Sequence, residues 1–195
     1  MESWQKLNPD FVYRVWGEKE IDELRLRNRG VYERYVAERI FDGAADVARV
    51  EILHRFGGIY VDADSLALRP LRDAEFLAAD FAAVDEPSED QAGLISNAFM
   101  GAVAEHPILE RYMEVITSVV DLRPMWRLTG PGALTDVLKG FDQAGVVILP
   151  AWMFFSTTLD GEQVVGGDPY GRHFWSTTAE RWGRPGGTAY PMGQG

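Results

Sequence analysis

The stretch Phe56-Gly57-Gly58-Ile59-Tyr60-Val61-Asp62-Ala63-Asp64 constrains the chain more than any other. Two glycines end whatever precedes them, and a short apolar run follows. In an extended chain, residues two apart point to the same side. Asp62 and Asp64 can therefore aim both carboxylates at one spot just past a buried strand. Two like charges that close repel unless something positive lies between them. A hard divalent cation with oxygen ligands is the natural occupant. Loop capping by Asx turns is the plainer reading of the same pair.

The flanking residues set the surroundings. Val47, Val50 and Leu53 recur at helical spacing within residues 44–55, with Phe56 extending the row, so one face of a helix is buried. Gly57 stands where a helix-ending glycine belongs. Helix, glycine stop, strand and Asp-Ala-Asp form an α/β arrangement, in which sites lie beyond the carboxyl ends of strands. Elsewhere, residues 11–16 alternate enough to suggest a strand, and residues 18–39 read as helical with a break at Asn28-Arg29-Gly30. Residues 81–84 and 94–102 read as strands, and a helix runs from His106-Pro107 to about Val120. A further helix opens at Thr129-Gly130-Pro131, with Thr129 as its cap, and residues 146–150 form a last buried strand. The expected fold is α/β, with a mixed, mostly parallel sheet flanked by helices.

Composition narrows the function. The 195 residues fit one domain, and 46% hydrophobic content can fill its core. We expect one catalytic domain over residues 1–182 and a flexible Gly/Pro-rich tail over 183–195. A net charge of −11 argues against nucleic acid as a partner. A nucleotide remains compatible, because a carboxylate-held metal supplies positive charge locally. With no cysteine, thiolate zinc sites and disulfides are excluded. Met1 to Lys6 lacks the basic and apolar regions of a signal peptide, and no run reaches the length of a membrane span. The expected location is cytoplasmic, with attachment at the membrane periphery left open.

Several blocks together resemble a known family. Ala45-Asp46-Val47-Ala48-Arg49 precedes Gly57-Gly58-Ile59-Tyr60-Val61-Asp62-Ala63-Asp64, and Trp4…Asn8-Pro9-Asp10-Phe11…Tyr13-Arg14-Val15-Trp16 lies upstream. Asn97-Ala98-Phe99-Met100-Gly101-Ala102…His106-Pro107, Thr129-Gly130-Pro131 and His173…Trp175 follow. In this order they resemble the DXD-containing sugar-binding region of glycosyltransferase family 32, which is related to the large clostridial toxin glucosyltransferases.

The resemblance implies a GT-A-like fold and a nucleotide-sugar donor, such as a UDP- or GDP-sugar, bound with Mn²⁺ or Mg²⁺. It also implies transfer with retention to a glycan, a lipid-linked sugar or a protein. It assigns Asp46, Arg49, Gly58, Tyr60 and Asp62 to the donor, and Asp62, Asp64 and, less directly, His173 to the metal. Thr129, Gly130 and Trp175 fall in blocks assigned to the acceptor. A retaining transfer calls for a carboxylate or amide on the far face of the sugar. Asp85, Glu86 and Asn97 are the choices, so Asp85 and Asn97 join Asp62 and Asp64 in the catalytic set. Family members usually begin with a strand of the Ile-Pro-Lys-Ile-Ile-His-Gln-Ile-Trp type, and this chain starts after it. A shortened, non-catalytic sugar-nucleotide-binding domain is therefore the alternative.

Blander readings accompany the sharp ones. Asp46 and Arg49 could be a surface pair contributing ~0.2–0.5 kcal/mol. His54 and His106 read as structural, and Trp152, Phe154 and Phe155 as core. Ile59 to Asp64 also resembles the nucleophile strand of haloacid-dehalogenase phosphatases. Those enzymes need a late lysine and a second acidic pair. Lys139 is the only late lysine, and Leu66 stands where a hydroxyl is expected.

Overall fold

The computed structural model describes residues 2–87 and 93–175. Four helices come first: α1 (Glu2–Leu7), α2 (Glu18–Leu24), α3 (Arg29–Ala37) and α4 (Phe41–Phe56). Strands β1 (Gly58–Val61), β2 (Ser65–Ala67), β3 (Phe81–Asp85) and β4 (Ile95–Ala102) follow. Helices α5 (Pro107–Thr117), α6 (Met125–Leu128) and α7 (Pro131–Lys139) precede β5 (Val146–Leu149) and β6 (Gly171–His173).

The main sheet has the order β1-β4-β3-β5, and β2 pairs with β6 in a small second sheet. The main sheet is mixed, as expected, but the expectation of mostly parallel pairing needs correcting. The β1–β4 and β3–β4 ladders are antiparallel, and only β3–β5 is parallel. β3 ends at Asp85 and β4 begins at Ile95, a connection shorter than the dozen or more residues a parallel crossover needs, so β4 returns beside β3 in the opposite direction.

Strand alternation divides the interior into two layers. Phe81 and Ala83 of β3 pack with Val47, Val50 and Leu53 of α4 and with Ile108, Leu109 and Tyr112 of α5. Ala82 and Val84 face the other way, onto Trp4, Phe76, Phe99, Phe154 and Phe155. Both faces of the central strands are covered, which explains why residues 81–84 form an unbroken apolar run. The aromatic assignments hold at Phe154 and Phe155, which are buried. Trp4 closes this second layer and donates its indole N–H to Ser65 Oγ at 2.9 Å, tying α1 to β2.

Two local expectations fail for physical reasons. Residues 11–16 form no strand, because alternation alone supplies no partner and they pair with none of the strands. Arg14 instead stacks over the Trp16 ring at 3.8 Å, and Trp16 packs on Phe56 at 5.3 Å. Phe56 consequently leaves the buried row of α4 and is half-exposed. The helical region 18–39 does break near Asn28, as read from the sequence. There Glu51 of α4 accepts hydrogen bonds from the backbone N–H groups of Arg27 and Asn28.

Gly57 ends α4 with φ +63°, in the left-handed region. A Cβ there would lie 2.7 Å from the backbone N of Ala104. Glycine thus permits both the turn and the close pass that sends β1 along the edge of β4. His106 caps α5, with Nδ1 accepting from the Ile108 N–H at 3.2 Å, in keeping with its structural reading.

Candidate functional site

β1 ends at Val61, and the next residue is Asp62, whose backbone N–H still bonds to the Ala98 carbonyl. The aspartate pair therefore leaves the sheet from an anchored position. β2 begins one residue after Asp64 and pairs with β6, which sets Ser65 opposite His173. That pairing carries a histidine from 111 residues downstream to the two carboxylates. His173 Nε2 lies 3.3 Å from Asp62 Oδ2 and 3.1 Å from Asp64 Oδ1. One ligand atom from each of the three residues falls within 4.8 Å of the others. The aspartate side chains retain 19% and 23% exposure, so a ligand can reach them.

Arg49 stands behind this group on α4. Its guanidinium donates to the Asn97 carbonyl at 2.7 Å and pairs with Asp62 Oδ1 at 3.1 Å and Asp46 Oδ1 at 3.5 Å. It also lies 4.7 Å from the centre of the Tyr60 ring, whose hydroxyl donates to Asp62 Oδ1 at 2.7 Å. Asp46 and Arg49 are both buried, so the surface-pair reading fails. Asp46 accepts from Asn97 Nδ2 at 2.8 Å and from the Thr129 hydroxyl at 3.2 Å.

A bulge places Asn97. Ala83 pairs with Met100, but the next residue of β3, Val84, pairs with Ser96. Residues 97–99 of β4 therefore have no partner on β3. The bulge frees the Asn97 carbonyl for Arg49 and turns its amide to Asp46. Bulges of this kind commonly re-aim a side chain beside an active site.

Charge within the group is finely opposed. Burial drives the Asp46 carboxyl upward, to about 6, although Arg49 and Asn97 favour its ionised form. Burial also acts against Asp62, but Arg49 and His173 outweigh it and hold that carboxyl below its usual range. Burial disfavours the His173 imidazolium, yet its bonds to Asp62 and Asp64 raise it to about 9. A proton on His173 thus bridges the two carboxylates. Asp46, Asp62 and Asp64 set against Arg49 leave a net charge of about −2 when His173 is neutral, which one divalent cation would balance. Two carboxylate oxygens and an imidazole nitrogen in reach of one another suit such a cation.

Other expected residues fall elsewhere. Gly58 is exposed at the start of β1. Asp85 is exposed at the end of β3. The three residues expected at the acceptor are buried. Thr129 is fully buried, and its hydroxyl is engaged by Asp46, Tyr35 and the Met125 carbonyl. Nor is it the cap of α7, a position taken by Gly130. Gly130 lies against Asp46 and Trp126, where a Cβ would meet the Trp126 Cα at 2.9 Å. Trp175 is buried, stacked on Phe155 at 5.2 Å, with its indole N–H on the Thr157 carbonyl. Trp182 and the tail over 183–195 lie outside the described residues. Lys139 pairs with Asp136 at the surface, remote from the phosphatase role considered for it.

Sequence reasoning missed Tyr112, whose hydroxyl donates to the Thr129 and Gly130 carbonyls. It also missed the inward turn of Glu86. Tyr112 sits on the apolar face of α5, where a buried phenol reads as packing.

Comparison with known proteins bears on the family and the fold. Residues 1–82 match the family model described as a glycosyltransferase sugar-binding region containing DXD motif. Human alpha-1,4-N-acetylglucosaminyltransferase is 29% identical over 100 residues, which is 49% of this chain and 25% of that protein. The chain thus spans about a quarter of that relative's length. The solved structure of PaToxG Glycosyltransferase superposes with a TM-score of 0.50 at 19% identity, covering 66% of this chain and 47% of the other. That likeness is one of fold, and it supports the GT-A-like architecture. No helix among the described residues is long and apolar enough to cross a membrane.

Proposed function

We propose that this chain, whose residues 1–82 form a DXD-containing glycosyltransferase sugar-binding region, transfers a glycosyl group from a nucleotide sugar with retention. The observation that carries the reading is the convergence of Asp62, Asp64 and His173 on one point, backed by a buried Arg49. A nucleoside diphosphate leaving group gains negative charge as its bond to the sugar breaks. Those three residues would hold a divalent cation, Mn²⁺ accepting the imidazole nitrogen more readily than Mg²⁺, and it would supply Lewis acidity that stabilises such a group.

The protein's own residues have separate tasks. Tyr60 and Arg49 both hold Oδ1 of Asp62, so its other oxygen, Oδ2, faces His173. Arg49 adds a fixed positive charge behind the place where the diphosphate would sit. Asp46 and Asn97 restrain each other and present a polar floor beside it. Residues 1–182 act as one catalytic domain under this reading. The donor is a UDP- or GDP-sugar, and the acceptor a hydroxyl of a glycan, a lipid-linked sugar or a protein.

The test is donor hydrolysis and transfer with Mn²⁺ across UDP- and GDP-sugars, together with Asp62→Asn and Asp64→Asn variants. Both variants are expected to fold and to lose turnover by about a hundredfold or more, as removal of a charge-stabilising group does. Full activity in either variant would refute the assignment.

A further inference from the structure

Glu86 follows directly on Asp85 at the end of β3, and its backbone N–H bonds to the Leu94 carbonyl at 2.8 Å. Adjacent residues of an extended chain point to opposite sides. Asp85 goes outward to solvent, and the Glu86 side chain turns inward. Its Oε2 is buried and has no hydrogen-bond partner among the described residues, the one such side-chain oxygen or nitrogen there. The carboxyl lies beside Ser96 and within electrostatic reach of His173, Asp62 and Arg49. It is not one of the residues gathered for a cation.

The Ser96 hydroxyl beside the carboxyl leaves Oε2 without a bond, and the charged donors nearby are engaged elsewhere. Arg49 is held by the Asn97 carbonyl, Asp62 and Asp46, and His173 Nε2 by the two aspartates. A buried carboxylate oxygen with no donor costs stability, and folded proteins seldom keep one without a use for it. A carboxylate only accepts, so what Oε2 lacks among the described residues is an O–H or N–H. The cation and the diphosphate offer no such donor, whereas the transferred sugar carries several hydroxyls.

We infer that Glu86 Oε2 accepts a hydrogen bond from a hydroxyl of the transferred sugar and is thereby a specificity-determining residue of the donor site. The inference rests on the proposed donor reading. Losing a charge-assisted hydrogen bond of this kind weakens binding by about tenfold to a hundredfold. Replacing the carboxylate with an apolar group of similar shape also removes a desolvation cost, so stability holds or rises while discrimination falls.

The experiment measures the affinity of the full chain, in Mn²⁺, for UDP, UDP-glucose, UDP-galactose and UDP-N-acetylglucosamine, and for GDP and GDP-mannose. Wild type is compared with Glu86→Met and Glu86→Gln. In wild type, sugars on one nucleotide are expected to differ in affinity by about tenfold or more. Glu86→Met compresses that range by about tenfold, leaves affinity for the free diphosphate within about twofold, and melts at or above the wild-type temperature. Glu86→Gln, which keeps an acceptor oxygen, retains part of the range. An unchanged range in Glu86→Met overturns the inference, as does a variant that melts well below wild type, since the carboxylate would then be holding the fold. Wild type that binds the diphosphates without distinguishing sugars overturns it while leaving the donor reading in place. Wild type that binds neither diphosphate nor sugar nucleotide refutes the donor reading, and this inference with it.

Discussion

Replacing Arg49 with Met tests the electrostatic logic of the site most directly. The guanidinium is almost inaccessible and compensates Asp46, Asp62 and the Asn97 carbonyl together. Methionine fills much of the volume and supplies no charge. Removing one member of a buried ion pair costs about 3–5 kcal/mol, because the other charge stays buried without a partner. For a domain of this size each kcal/mol lowers the melting temperature by about 2–4 °C, so a loss of roughly 6–20 °C is expected near neutral pH. The deficit has a recognisable origin. Asp46, already pushed up to about 6, can escape by taking a proton, so the deficit shrinks as the pH is lowered toward 5. Adding Asp46→Asn removes one of the two stranded charges, leaving that of Asp62. The double variant should therefore recover about 1–3 kcal/mol relative to the sum of the two single effects. Thermal melts followed by circular dichroism at two pH values, on all four members of the cycle, give both numbers. Arg49→Met melting within about 2 °C of wild type, or strictly additive effects, would refute the argument.

Two more predictions follow from the same packing. Asp46 has a folded-state carboxyl near 6 against an unfolded value near 4, so the folded protein binds the extra proton between those values. Stability from this group is present below about pH 4 and is lost as the pH rises through about 6, a change of roughly 2–3 kcal/mol. Asp46→Asn lacks that dependence and should gain on wild type by this amount between the two pH values in urea titrations. A difference between the two proteins that does not vary with pH would contradict it. Gly57→Ala should cost about 1–3 kcal/mol, because its Cβ collides with the Ala104 backbone and its φ is left-handed. A melting temperature equal to that of wild type would show that the turn can relax.

How far the sequence reveals all this depends on whether the cause is local. The Val47, Val50 and Leu53 face, the stop at Gly57 and the aspartate pair after β1 are set by neighbours in the chain, and each was readable. The arrival of His173 depends on β2 pairing with β6 far along the chain, and only the family resemblance suggested it. Thr129 shows the opposite case. Its place beside a helix-opening proline suggests a cap, but the buried Asp46 carboxylate claims its hydroxyl. Residues 11–16 have the alternation of a strand but pair with no strand of either sheet. Asp85 and Glu86 are adjacent acids that the sequence could not rank, and strand direction and burial separate them.

The break in register along β4 has a mechanical consequence. β1 and the start of β3 are both held along residues 99–102, while the end of β3, with Glu86 just beyond it, is held by residues 95 and 96. The extra length of β4 lies between those two holds, on the strand that β1 and β3 share. Changing that length would change which residues of β4 stand opposite Val84 and Asp85, beneath Glu86, while the start of β3 keeps its register with β1. The pairing of β2 with β6, which brings His173 to the aspartates, lies in the other sheet and does not depend on it.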